Sequence, residues 1–203
     1  MDSPNVNSSH VAEYNRPLAA SQLDLSLVEA LSMKILSRVT DAEALAIHRQ
    51  FPLLEQVLEK DSDGGLQKVA ISVFDHWLRD ESEWHLMDCF NGPERVSRDK
   101  KLEAHWAAVF DLTPAFTVRY RGRWPNKAKL VLKRYMSRDG LVTQSRFNVR
   151  KSPSQFLILP DLGCIYAAGW DDTNILYFTS RDAAAPVLDA ATKSGLFLLN
   201  YES

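Results

Sequence analysis

After Pro114 the chain reads Phe116-Thr117-Val118-Arg119-Tyr120-Arg121-Gly122-Arg123-Trp124, with apolar and polar residues alternating one for one. That period puts Phe116, Val118 and Tyr120 on one face of a strand and Thr117, Arg119 and Arg121 on the other. Further period-two or apolar runs follow at 128–136, 141–150, 155–160, 164–169 and 174–179. They are separated by turn-forming stretches such as Ser137-Arg138-Asp139-Gly140 and Asp161-Leu162-Gly163. Such short connections predict an antiparallel meander of about six strands. Ala184 to Lys193 reads as a C-terminal helix stopped by Gly195, with Leu196 to Tyr201 as a last edge strand or packed tail.

Upstream of Pro114 the period is nearer 3.6. Leu27, Leu31 and Ile35 recur every fourth residue behind a Ser26/Glu29 capping box, predicting a first helix from Leu23. Thr40-Asp41-Ala42-Glu43 repeats the box before a second helix, and Pro52 opens a short third one through Leu58. Leu66, Val69, Ala70, Val73, Phe74, Trp77 and Leu78 have the spacing of an amphipathic helix. Arg79-Asp80-Glu81-Ser82-Glu83 reads either as an exposed turn carrying this helix on through Trp84, Leu86, Met87 and Phe90 or as a break, with a stop at Asn91-Gly92-Pro93 in either case, and another helix is expected from Lys101 to Phe110. Trp77, Trp84 and Trp106 are assigned to the core.

The expected fold is therefore α+β, a helical N-terminal half (23–110) packed on a curved, mainly antiparallel sheet (114–203), with a C-terminal helix. Residues 1–21, rich in Ser, Asn and Pro, are expected to form a flexible tail ahead of a single domain over 22–203. At 203 residues, with 45% hydrophobic and 25% charged, the chain has the composition of an ordinary globular protein. Cys89 and Cys164 belong to no CxxC pair and read as reduced thiols. The first residues lack the apolar run of a secretory leader, and no apolar stretch approaches membrane-spanning length, so a cytoplasmic protein is expected.

One feature is uneven. Between Arg119 and Lys151 there are eleven cations and one acid, Asp139, a net of +10. The whole chain carries −2, so the remainder carries −12. Seven of the eleven are arginine, which suits bidentate recognition of carboxylate or phosphate. Strand periodicity gathers Arg119, Arg121 and Arg123, then Lys129 and Lys133, then Arg146 and Arg150 onto one face, with Trp124 beside them. Phe116, Val118, Tyr120, Leu130 and Leu132 fall on the opposite, core-facing side.

Such a face is either solvated, compensated from within the molecule, or a docking surface for an acidic partner. The leading expectation is a non-enzymatic binding protein presenting this face to an acidic protein. Single-stranded nucleic acid is the second partner class, set back by a sequence pI of about 6.2 and few nearby aromatics. At the level of layout alone the chain resembles small bacterial immunity and effector-binding proteins.

Enzymatic readings are sparse. The sequence has no GxSxG elbow, no phosphate loop, no GxGxxG and no HExxH motif, and neither a cofactor nor a metal is expected. His85 and Cys89 stand four apart, which on a helix seats two metal ligands at most. Asp75 and His76, adjacent on a helix, would point apart. The secondary candidate site is Gly169-Trp170-Asp171-Asp172, where two carboxylates and an indole join two strands. It suits a metal-dependent hydrolase, or simply a turn.

Overall fold

The computed structural model describes residues 35–59, 63–121, 129–143, 155–169 and 171–201. The predicted flexible tail, most of the first predicted helix and the Ser26/Glu29 box lie outside them.

Eight strands form one sheet in the order β1-β4-β3-β5-β6-β7-β2-β8. They are β1 (Leu36–Arg38), β2 (Gln67–Ser72), β3 (Phe116–Arg121), β4 (Lys129–Tyr135), β5 (Gln155–Leu159), β6 (Cys164–Ala168), β7 (Thr173–Phe178) and β8 (Phe197–Asn200). Every neighbouring pair runs antiparallel. The helices are α1 (Asp41–Gln50), α2 (Leu54–Glu59), α3 (Gly92–Leu112), a short α4 over 138–143 and α5 (Arg181–Lys193). None is long and apolar enough to cross a membrane.

The α+β class and the antiparallel sheet are as the sequence predicts, but the helical first half is not. The strand count is also eight rather than six. The largest departure is Leu66 to Leu78, read as the best amphipathic helix and found as β2. Val69, Ile71 and Val73 enter one hydrophobic cluster, while Ala70 and Ser72, between them, are also fully buried. The strand is hydrogen-bonded to β7 on one side and β8 on the other, so both its edges are paired, and the burial of both alternating side-chain sets shows both faces covered. A doubly buried strand reads as a continuous apolar run, and such a run contains helical spacings by chance. The β-branched Val69, Ile71 and Val73, stiff at χ1, favour the extended form.

Leu36, expected to close the first helix, instead pairs with Tyr135 in edge strand β1. Residues 141–143, predicted to begin a strand, are helical because Ser137 caps that turn. Its hydroxyl accepts the Gly140 N–H at 3.1 Å and its carbonyl accepts Leu141 N–H at 3.1 Å. Asn91-Gly92-Pro93 starts a helix rather than ending one. Gly92 takes the left-handed backbone (φ 83°) and Pro93, which has no N–H to leave unpaired, sits in the first turn. The Thr40/Glu43 box holds as predicted, with Thr40 Oγ1 accepting from the Glu43 N–H at 3.2 Å and Glu43 accepting from the Thr40 N–H at 2.9 Å.

The sheet is covered on both sides. Ile47, Phe51, Leu54 and Val57 of the α1–α2 region pack with Phe116, Leu132, Ile158, Ile165 and Tyr177 on one face. Trp106 and Val109 of α3, with Val187, Leu188 and Ala191 of α5, pack on the other against Ile71, Leu157, Tyr166, Leu176 and Phe178. Burying each such side chain contributes roughly 1.5–3 kcal/mol. As predicted for α3, Trp106 and Val109 point inward, with Leu102 and Phe110 packed partly against them.

Candidate functional site

Of the cations expected on one face, Arg119 and Arg121 lie on β3 and Lys129 and Lys133 on β4. The register of the two strands sets Thr117 opposite Lys133, Arg119 opposite Val131 and Arg121 opposite Lys129, and β4 continues to β1, where Arg38 lies opposite Lys133. Phe116 and Leu132 enter the α1–α2 cluster, with Val118 and Leu130 packed against it. The predicted alternation thus holds for these four. Of the β3 and β4 residues whose side chains are described, Tyr135 enters the α3–α5 cluster. Arg123, Trp124, Arg146 and Arg150 lie outside the described residues.

Two cations of the same stretch find partners within the molecule. Arg134 stands on the α1 side, 3.7 Å from Glu43 and 6.0 Å over the Phe116 ring. Arg138 pairs with Asp111 at the end of α3. Part of the +10 is therefore compensated by the helical layer.

The turn between β6 and β7 is built for structure. Asp172 is 5% exposed and holds φ 61°, a backbone region that Asp tolerates better than most residues. Its carboxylate accepts from Arg95 Nη1 at 2.9 and 2.7 Å and from Arg98 Nη1 at 3.4 Å, while Arg95 Nε and Nη2 reach Asp99 at 2.9 and 2.6 Å. Burial alone would weaken the charge on Arg95, but its bonds to Asp172 and Asp99 outweigh this and hold the guanidinium protonated far above its ordinary value. The Asp172 carbonyl accepts the Val73 N–H at 3.3 Å, tying the turn to the end of β2.

Beside it, Asp171 Oδ1 accepts the Thr173 N–H at 3.2 Å. Burial raises the Asp171 pKa, the backbone bonds oppose that, and the charge of Asp172 adds to the rise. Gly169 approaches Thr173 so closely that a Cβ there would lie 2.0 Å from the Thr173 carbonyl oxygen. Trp170 lies outside the described residues. The Asp172 carboxylate, held by guanidinium donors, joins α3 to the sheet, while that of Asp171 accepts within its own turn.

Arg95, Arg98 and Asp99 were missed from sequence because Asn91-Gly92-Pro93 was read as a helix end. Read as a helix start, it places Arg95, Arg98 and Asp99 at i, i+3 and i+4 in the first turns of α3.

Further along α3, His105 is 0% exposed. Its ring lies 5.5 Å from that of Tyr166, which is itself 4.5 Å from Trp106. Both His105 nitrogens, the Tyr166 hydroxyl and the Asn174 amide nitrogen are buried without a well-formed hydrogen bond. The Ala190 backbone still acts on His105, and Asn174 on Tyr166. Burial drives His105 down to about 4, partly offset by Ala190, and raises Tyr166. Sealed from solvent, this layer has no access for a reactant.

Asp75 and His76 do meet, contrary to the helical expectation, because they lie in a bend. His76 Nδ1 is 2.5 Å from Asp75 and Nε2 is 2.8 Å from Glu83, and these two bonds, Asp75 first, raise its pKa. With both nitrogens engaged, the ring is a bridge rather than a free base. His85 belongs to a 3₁₀ segment (Glu81–Asp88), where residues four apart do not share a face, and its Nδ1 lies 2.6 Å from the Ser82 carbonyl. Among the described residues no group of three or more His, Cys, Asp or Glu could hold a metal.

Comparison of the chain with protein-family models, with curated proteins and with solved structures yields no match.

Proposed function

We propose that the protein is a non-enzymatic binding protein whose basic β3–β4 region engages an acidic protein surface. The observation that carries this reading is the alternation on β3 and β4. Phe116, Val118, Leu130 and Leu132 are committed to the α1–α2 cluster, and the alternate positions hold Arg119, Arg121, Lys129 and Lys133 together with Thr117 and Val131. A face of that kind repels itself until counter-charges arrive, and its field draws an acidic partner toward it. Arg123, Trp124, Arg146 and Arg150 extend the same surface in this reading. The hydrolase reading has less support, since the Asp172 carboxylate is occupied by Arg95 and Arg98. Sequestering an effector, as an immunity protein does, is the kind of task such a face serves.

Fluorescence anisotropy with labelled polyglutamate and labelled oligo-dT, each over a salt series, tests it. Polyglutamate is expected to bind in a salt-sensitive way, and the triple reversal Arg119→Glu/Arg121→Glu/Lys133→Glu to abolish binding while leaving the circular dichroism unchanged. Preferential binding of oligo-dT, with a log–log salt slope of roughly −0.7 per phosphate contact, would transfer the face to single-stranded nucleic acid. Equal binding by the reversed variant would sink both.

A further inference from the structure

Between β2 and α3 the chain runs through residues 73–91 without a strand, and its one regular element, the 3₁₀ segment Glu81–Asp88, contains no buried residue. Trp84, assigned to the core from sequence, is 48% exposed, Phe90 is 73% exposed, and Val96 at the start of α3 is 52% exposed. Scattered exposed apolar residues need no explanation, but here a Trp, a Phe and a Val emerge within thirteen positions of one another.

Trp84 and Phe90 belong to one stretch that is tied to the start of α3. The Arg98 guanidinium, 8% exposed and stacked 4.8 Å from the Phe74 ring centre, donates to the Leu86 carbonyl at 2.8 Å and to the Glu94 carboxylate. Leu86 is two residues past Trp84 and Glu94 two before Val96, with Phe90 on the connection between. Asp80 accepting from the Ser82 N–H at 2.8 Å and the His76–Glu83 bridge fix the front of the segment. Polar ties, rather than burial of Trp84 and Phe90, hold this stretch, so its backbone is fixed while its aromatics stand outward. Ordering before contact lowers the entropic cost of association.

Charge selects the partner. From Asp75 to Glu94 there are six acids and one cation, Arg79, a formal net of −5, and of these acids Glu94 is paired with Arg98 and Asp75 and Glu83 share His76, so the rim rests on Asp80, Glu81 and Asp88. Anionic lipid and nucleic acid are repelled by such a rim, whereas a protein segment with cationic and apolar side chains matches both its charge and its aromatics. We propose that Trp84 and Phe90, rimmed by these acids, form a docking surface for a basic, amphipathic protein segment. Aromatic side chains in this setting carry a large share of interface energy, and the acids set encounter rate and selectivity. The surface is tied through Arg98 to Leu86 and to Asp172 in the β6–β7 turn, whereas the proposed basic face is on β3–β4. Its partner differs in charge from the one proposed above, so the two readings stand or fall separately.

The test uses the full chain and two labelled amphipathic peptides, one of leucine and lysine and one of leucine and glutamate. The lysine peptide is expected to bind with salt-sensitive affinity and the glutamate peptide not to bind. Phe90→Ala and Trp84→Ala should each weaken binding at least about tenfold. Glu81→Gln/Asp88→Asn, at exposed positions, should weaken it several-fold and reduce the salt dependence. Binding of both peptides alike, no binding of the lysine peptide, or full affinity in Phe90→Ala and Trp84→Ala would overturn the proposal. Phosphatidylserine vesicles retained by the wild type and released by Phe90→Ala would overturn it in favour of a membrane. Concentration-dependent sedimentation lost in Phe90→Ala would overturn it in favour of a second copy of the chain.

Discussion

Replacing Asp172 with Asn tests whether the β6–β7 turn is the structural joint described. Asn retains the shape and the tolerance for φ 61°, so the substitution isolates the charge. Asp172 is 5% exposed and receives two guanidiniums, but neither cation would be stranded, since Arg95 keeps Asp99 and Arg98 keeps Glu94. The loss should therefore fall at the lower end for breaking a buried pair, about 3 kcal/mol. With a urea m-value of about 2 kcal/mol/M, the unfolding midpoint falls by about 1.5 M. Asp172→Ala and Asp172→Gly both remove the carboxylate, but Ala keeps a β-carbon in the left-handed region, a cost of about 1 kcal/mol that Gly avoids, so Gly should exceed Ala in stability by that margin. Urea titrations followed by circular dichroism and tryptophan fluorescence read all three. An Asn variant within about 0.5 kcal/mol of wild type would refute the argument, since that is the range of an ordinary surface substitution.

Acid should destabilise the protein through His105. Its folded pKa of about 4 lies below the unfolded value of 6.5, so the unfolded chain binds the extra proton. Stability from this group is complete above about pH 6.5 and declines by about 3 kcal/mol as pH falls to 4. His105→Leu should flatten that slope in urea titrations taken across the range, and an unchanged slope would mean that other groups set it. Gly169→Ala forces a β-carbon against the Thr173 carbonyl and should cost at least about 2 kcal/mol, measured by thermal melting. A melt within a degree or two of wild type would show that the β6–β7 turn relaxes freely.

The sequence was most legible where local chemistry decides. Thr40 and Glu43 cap α1 as their spacing demands, and the alternation from Phe116 to Val118 and from Leu130 to Leu132 assigns the α1–α2 face correctly. It was least legible where tertiary position overrides period. β2 is flanked by β7 and β8 and covered on both faces, so Val69 to Val73 shows none of the polar alternation that would mark a strand. Gly92 and Pro93 serve equally as a stop or a start, and the wrong choice hid Arg95, Arg98 and Asp99, the partners that explain Asp172. The exposure of Trp84 and Phe90 had no local signal, because it follows from the segment's polar ties and not from its hydropathy.

Affinity capture from native lysate, with wild type and the Arg119→Glu/Arg121→Glu/Lys133→Glu variant run side by side and eluted by a salt step, tests the central claim most directly. The account predicts that wild type retains an acidic protein that salt releases and that the variant does not retain it. Recovery of the same protein on both baits, or of nothing acidic on wild type, would contradict it.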